Sequence, residues 1–263
     1  MRLGWKKKLR DLAFRAASKP LHRDSDFEVR AMRGTGHGLM IVFTSFHANV
    51  AKRGLFEFAR SASDNRNRNC LFITDLNQHW FQSPTITEQL PKIVAAYVAK
   101  HGITDAMTLG VSMGGYGAVS FAKDVNADRV LALAPQYACD PDVFPQDERW
   151  LDARQSVPLF SRPDLCTSFD ETIEYVILHG RDGDADCLHW ESFPQGDNIH
   201  HYLINDAKHD VIDPLRSIGG LYELVDAVWA KQFAKVTAIA NRLNAALRGM
   251  GETAATTPNA WSR

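Results

Sequence analysis

Paired cysteines, long apolar runs and excess charge are all missing from this 263-residue chain. Its four cysteines, Cys70, Cys139, Cys166 and Cys187, stand far apart with no CxxC pair, which argues against a zinc knuckle or a disulfide framework. Reduced thiols suit them. No stretch approaches the roughly 20 apolar residues that cross a bilayer, and the N-terminus lacks the apolar centre of a signal peptide, so the expectation is a soluble, cytoplasmic protein. With 30 basic against 31 acidic side chains the net charge is -1, which offers no global field for gathering nucleic acid. The glycines of RGTGHG (33–38) lead into a strand where a phosphate cradle would open a helix, so they are not read as one. No internal repeat is visible, and no metal or cofactor is expected.

What remains is a chain that is 45% hydrophobic and 23% charged, enough to build one substantial domain, expected over 23–248. Residues 1–22 read as a basic amphipathic helix. Trp5, Leu9, Leu12 and Ala16 recur at helical spacing beside Lys6, Lys7, Lys8, Arg10 and Arg15. Residues 1–20 therefore suit either a membrane surface or partner, or packing on their own domain. The tail 249–263 has no apolar period and is expected to be disordered.

Within the domain, FEVRAM (27–32) and LMIVFTSF (39–46) flank a glycine-rich turn and predict a hairpin. The short β-branched runs CLFITD, AMTLGVS, RVLALAP, EYVILHG and HHYLIND suit strands buried on both faces of a parallel sheet. Helical patterns separate them. In TITEQLPKIVAAYVAKHG, Ile86, Leu90, Ile93, Val94, Tyr97 and Val98 share a face, and Gly102 is placed to end the helix. In DPLRSIGGLYELVDAVWAKQF, Asp213 is placed to cap and Pro214 to take the first helical position. Such alternation implies α/β architecture with right-handed crossovers and helices on both faces. Regularity lapses over 137–170, a Pro- and Asp-rich insertion that reads as a lid or as an irregular surface loop.

Gly110-Val111-Ser112-Met113-Gly114 fits G-x-S-x-G and lies between a predicted strand and a predicted helix, the context a nucleophile elbow requires. A serine hydroxyl needs a base to take its proton. Of ten histidines, His209 lies just beyond the last predicted strand, which puts it at the same carboxyl edge as Ser112. His200 and His201 alternate within a strand, His101 ends a helix, and His22 and His37 sit near turns. The acid is expected after EYVILHG, where HGRDGDADCLHW offers Asp184 first by spacing, then Asp186 and Asp182. His47, His79, Trp80 and Phe81 follow predicted strands and suit either pocket lining or ordinary packing.

GVSMGGYGA, VLALAPQYA, HGRDGDADCLH and AKHDVIDPL together resemble the α/β-hydrolase superfamily over about 27 to 230. It is especially similar to bacterial esterase-like serine hydrolases with a GxSMGG elbow. The resemblance implies a mostly parallel eight-stranded sheet with its second strand antiparallel and a small insertion after the sixth strand. It further implies Ser112 as nucleophile, His209 as general base and acid, and an oxyanion hole from the amides of Met113 and of Phe46 or Ser45. FTSFHANVAKRG departs from the usual His-Gly pair at that turn, and the acid loop departs from the usual G-x-x-D. The expected activity is hydrolysis of a carboxylic ester or thioester in a small-molecule or acylated substrate. An acyltransferase with the same triad, and a non-catalytic binding module on this fold, remain the alternatives.

Overall fold

The computed structural model describes residues 12–48, 56–183 and 185–249. Its strands are β1 (Lys19–Arg23), β2 (Phe27–Met32), β3 (Gly38–Phe43), β4 (Asn69–Asp75), β5 (Asp105–Val111), β6 (Arg129–Leu133), β7 (Glu174–Gly180), β8 (Ile199–Ile204) and β9 (Ala245–Leu247). They form one sheet in the order β1-β2-β4-β3-β5-β6-β7-β8-β9. From β4 to β8 every pairing is parallel. β2 runs antiparallel to both β1 and β4, and β9 antiparallel to β8.

Helices cover both faces because β3 to β6 carry apolar side chains on each: Leu39, Ile41 and Phe43 point to one core, Met40 and Val42 to the other. The first core receives α2 (Pro84–His101) through Ile86, Leu90, Val94 and Tyr97, together with α3 (Met113–Ser120). On the second lie α1 (Ala59–Ser63), α7 (Gly220–Trp229) and α8 (Phe233–Arg242). Ser83 accepts a hydrogen bond from the Thr85 amide at 3.1 Å to cap α2, with Pro84 in its first turn. Three shorter helices, α4 (Leu151–Gln155), α5 (Asp186–Ser192) and α6 (Ile212–Ser217), lie at the carboxyl edge or in the insertion before β7. Among the described residues, no helix is long and apolar enough to cross a membrane.

Several expectations change. The sheet has nine strands, not eight, because β9 adds an edge beyond β8. Residues 1–11 of the expected N-terminal helix and most of the tail 249–263 lie outside the described residues. Residues 12–17 are helical, but 19–23 pair as β1. Pro20 cannot continue a helix and is tolerated on an edge strand. The hairpin does not form. β4 lies between β2 and β3, and the 33–37 turn instead bonds to the segment leading into β4, with the Thr35 amide on Arg66 O and the Gly36 amide on Asn67 O, both at 2.9 Å. A strand buried on both faces, such as β3, has to sit inside the sheet. The helix expected over 213–233 divides into α6 and α7 at Gly219, whose φ of 66° is left-handed. Asp210, not Asp213, caps α6, accepting the amides of Ile212 and Asp213 at 2.9 and 3.1 Å.

Candidate active site

Ser112 sits in the turn between β5 and α3 at φ 54° and ψ −123°, a strained conformation for a residue with a side chain. The chain reverses tightly there. A Cβ on Gly110 would meet Gly114 O at 2.1 Å, and one on Gly114 would meet Phe43 O at 2.3 Å. Only glycine fits either place, and the elbow context read from the sequence is present. The Ser112 amide bonds to Leu133 O at 2.8 Å, tying the turn to β6.

His209 follows β8 and directly precedes the Asp210 cap of α6, so its ring is held at the carboxyl edge. His209 Nε2 lies 3.0 Å from Ser112 Oγ, while Nδ1 lies 3.0 and 3.3 Å from the two carboxylate oxygens of Asp186. Asp184 lies outside the described residues. Asp182 remains tied to the strand ends through its amide on Ala207 O at 2.9 Å. Among the described residues, Asp186, the first residue of α5, is the carboxylate found at His209. Burial would raise the Asp186 carboxyl, but the His209 hydrogen bond and the Arg149 guanidinium outweigh it and hold it at about 2. With that carboxylate ionised and accepting only, Nδ1 carries the proton and Nε2 is free to accept.

The 137–170 insertion supplies further neighbours that the sequence reading missed. Arg149 Nη1 contacts Asp186 Oδ1 at 2.5 Å, and the same guanidinium grips Asp147 through two bonds of 2.9 and 3.0 Å. Asp147 in turn accepts from His189 Nε2 at 2.8 Å, and His189 Nδ1 accepts the Tyr137 amide at 3.0 Å. The Trp150 ring lies 5.3 Å from that of His209 and close to Phe46 and Trp80. The insertion folds back on itself, with the Cys139 amide on Pro163 O at 2.9 Å and the Leu165 amide on Tyr137 O at 3.0 Å. Gln136, just past β6, donates from Nε2 to Ser112 Oγ at 3.3 Å and accepts from Trp80 Nε1 at 3.4 Å. Its position at the carboxyl edge, in the stretch VLALAPQYA, was the available sequence clue.

Of the anticipated anion donors, the Met113 amide opens α3, where no intrahelical acceptor exists. The Ser45 amide is already given to Glu57 Oε2 at 3.1 Å, and the amides of Thr44 and His47 bond to Ile73 O and Gln78 Oε1. Among the described residues the Phe46 amide has no hydrogen-bond partner. His47 pairs with Glu57 at 2.6 Å, His79 reaches Ser156 at 3.2 Å, and Phe81 packs edge-on against Phe43 in the core. A cavity of about 480 Å³ includes Ser45, Glu57, Val111 and Ile212 in its wall, adjoining the elbow without including Ser112. Among the described residues, no cluster of side chains is suited to a metal ion.

No protein-family model matches this sequence, and no curated protein matches it. Solved structures do. The Glycosylation Associate Protein (Gap123) complex from Streptococcus agalactiae aligns with a TM-score of 0.57 at 14% identity over 87% of this chain and 47% of that one. This chain thus spans about half the length of that relative. XC6422 from Xanthomonas campestris, an α/β serine hydrolase without a lid, aligns with a TM-score of 0.52 at 11% identity over 82% and 94% of the two chains. The capsule O-acetyltransferase of Neisseria meningitidis serogroup A gives 0.50 at 14% identity over 83% and 93%. At such identities the likeness is one of architecture, and the architecture of this chain is the α/β-hydrolase fold.

Proposed function

We propose that the protein is a serine hydrolase that cleaves a carboxylic ester or thioester through an acyl-enzyme on Ser112. The observation that carries this reading is the line from Ser112 Oγ to His209 Nε2 at 3.0 Å and from His209 Nδ1 to Asp186 at 3.0 Å. His209 takes the hydroxyl proton as Ser112 Oγ attacks the acyl carbon, and Asp186 holds the ring in the required tautomer and stabilises the imidazolium. The tetrahedral oxyanion rests on the amides of Met113 and Phe46. Collapse of that intermediate passes the proton from His209 to the leaving alcohol or thiol. Water then enters, gives a proton to His209, and attacks the acyl-enzyme; the returning proton frees Ser112. These groups supply nucleophile, base, acid and anion donors, so the mechanism calls on no cofactor.

Acyl transfer to an alcohol is the second reading, favoured by the architectural likeness to an O-acetyltransferase. It uses the same steps with an alcohol in place of water. A panel of p-nitrophenyl esters of increasing acyl length tests the hydrolase reading. Turnover is expected, with Ser112→Ala lowering kcat on the order of 10⁶-fold. Wild-type turnover in that variant contradicts the proposal. Added alcohols that divert the acyl group from water at low concentration favour transfer.

A further inference from the structure

We infer that Gln136 is a further catalytic residue of this site, directing the Ser112 hydroxyl proton onto His209 before attack, and that Trp80 positions the Gln136 amide for the task. The inference rests on the serine-nucleophile reading above. Its starting point is Trp80, whose indole N–H can only donate. At 3.4 Å it faces Gln136 Oε1, which fixes the two ends of an amide that would otherwise be free to turn over. Both side chains are buried, Gln136 at 2% exposure, and Trp80 O is itself held by Gln82 Nε2 at 3.0 Å. The amide nitrogen is thereby aimed at Ser112 Oγ, 3.3 Å away.

A serine hydroxyl has one proton to give. Since Gln136 Nε2 occupies one lone pair of Oγ as a donor, the Ser112 proton has to point elsewhere. The neighbour positioned to accept it is His209 Nε2 at 3.0 Å, because His209 Nδ1 spends its proton on Asp186. The bonds run in one direction from the Trp80 indole through Gln136, Ser112 and His209 to the Asp186 carboxylate. No member has a choice. The two bonds at Gln136, 3.4 and 3.3 Å, are at the long end of the hydrogen-bond range, and catalytic hydrogen bonds tighten in the transition state. The same donor also serves the reverse step, since it stabilises negative charge on Oγ when the acyl-enzyme breaks down.

The test measures the second-order rate at which a fluorophosphonate labels Ser112, a readout that needs no knowledge of the substrate. Gln136→Met keeps the volume without a donor. Gln136→Glu keeps the shape but presents an acceptor that draws the Ser112 proton away from His209. The expected order is wild type, then Gln136→Met slower by about tenfold or more, then Gln136→Glu slower still at pH 7.5, in proteins shown folded by circular dichroism. Trp80→Phe is expected to slow labelling several-fold in the wild-type background and not at all in Gln136→Met, a coupling that loss of packing alone would not produce. Equal rates for wild type and whichever Gln136 variant folds overturn the role of Gln136. An undiminished Trp80→Phe effect in the Gln136→Met background overturns that of Trp80. Absence of label on wild-type Ser112 fails the hydrolase reading instead.

Discussion

His209 and His189 each hold an aspartate at hydrogen-bond distance, 3.0 Å to Asp186 and 2.8 Å to Asp147, and Arg149 bridges the two carboxylates. Their surroundings differ. The His189 side chain is 1% exposed with both ring nitrogens committed, whereas that of His209 is 29% exposed and offers Nε2 to Ser112. Burial lowers the His189 pKa more than the Asp147 carboxylate raises it, so this ring stays neutral and acts as a strut. A histidine–carboxylate pair becomes a base only where the second ring nitrogen faces a proton to be taken. The pair at His189 instead fastens the 137–170 insertion to α5, and Arg149 carries that restraint to the candidate acid.

Removing each carboxylate in turn separates the two pairs. Asp186→Asn is expected to lower kcat roughly 10³- to 10⁴-fold with the protein folded, because the tautomer of His209 is no longer held. Asp182→Asn, whose contact among the described residues is its backbone amide on Ala207 O, is expected to change kcat little. Steady-state kinetics on an aryl ester decide between them, and the reverse ranking removes Asp186 from the mechanism.

Asp147→Asn is expected to act on stability. The Asp147 carboxyl is held well below the ordinary carboxylate range: burial would raise it, but His189 and Arg149 prevail. Losing its charge weakens the bonds from Arg149 and His189, although Arg149 keeps Asp186, at a cost of about 1–3 kcal/mol. Urea unfolding reads this directly. A loss under 1 kcal/mol means the pair is not a strut.

A smaller effect comes from the rings kept neutral inside the protein. His179 donates from Nε2 to Pro135 O at 2.8 Å and accepts from His201 Nε2 at 2.8 Å. Burial lowers His179 to about 3 and drives His201 well below the ordinary histidine value. The unfolded chain binds these protons near pH 6.5 while the folded one does not, so stability falls as pH drops from about 6.5 toward about 3. Each such ring contributes at most about 1.4 kcal/mol per pH unit. The Tm is expected to decline between pH 7.5 and 5.5, and His179→Met to flatten the slope. A wild-type Tm independent of pH across that interval contradicts the assignment.

Sequence reading reached the elbow because its requirement is local: glycines at fixed offsets between a strand and a helix. His209 was legible for a related reason, since any residue just past a parallel strand lands on the carboxyl edge. The acid was harder. Spacing from Gly180 put Asp184, which lies outside the described residues, ahead of Asp186; Asp186 reaches His209 from the first turn of α5, a placement that counting residues does not give. Long-range choices were also hidden. The hairpin read from FEVRAM and LMIVFTSF gives way to β4, which inserts between its two strands, and no local pattern announces that pairing. Gln136, Arg149 and Trp150 meet the site only after β6 and the insertion have folded onto it.

Under the proposed mechanism Ser112 is a nucleophile activated by His209. Intact-protein mass spectrometry after fluorophosphonate treatment, followed by peptide mapping, tests it most directly on wild type and His209→Gln. One adduct on Ser112 in wild type, and a rate reduced by orders of magnitude in His209→Gln, is the predicted result. No adduct on folded wild-type protein, an adduct on another residue, or equal rates in the two proteins contradicts it.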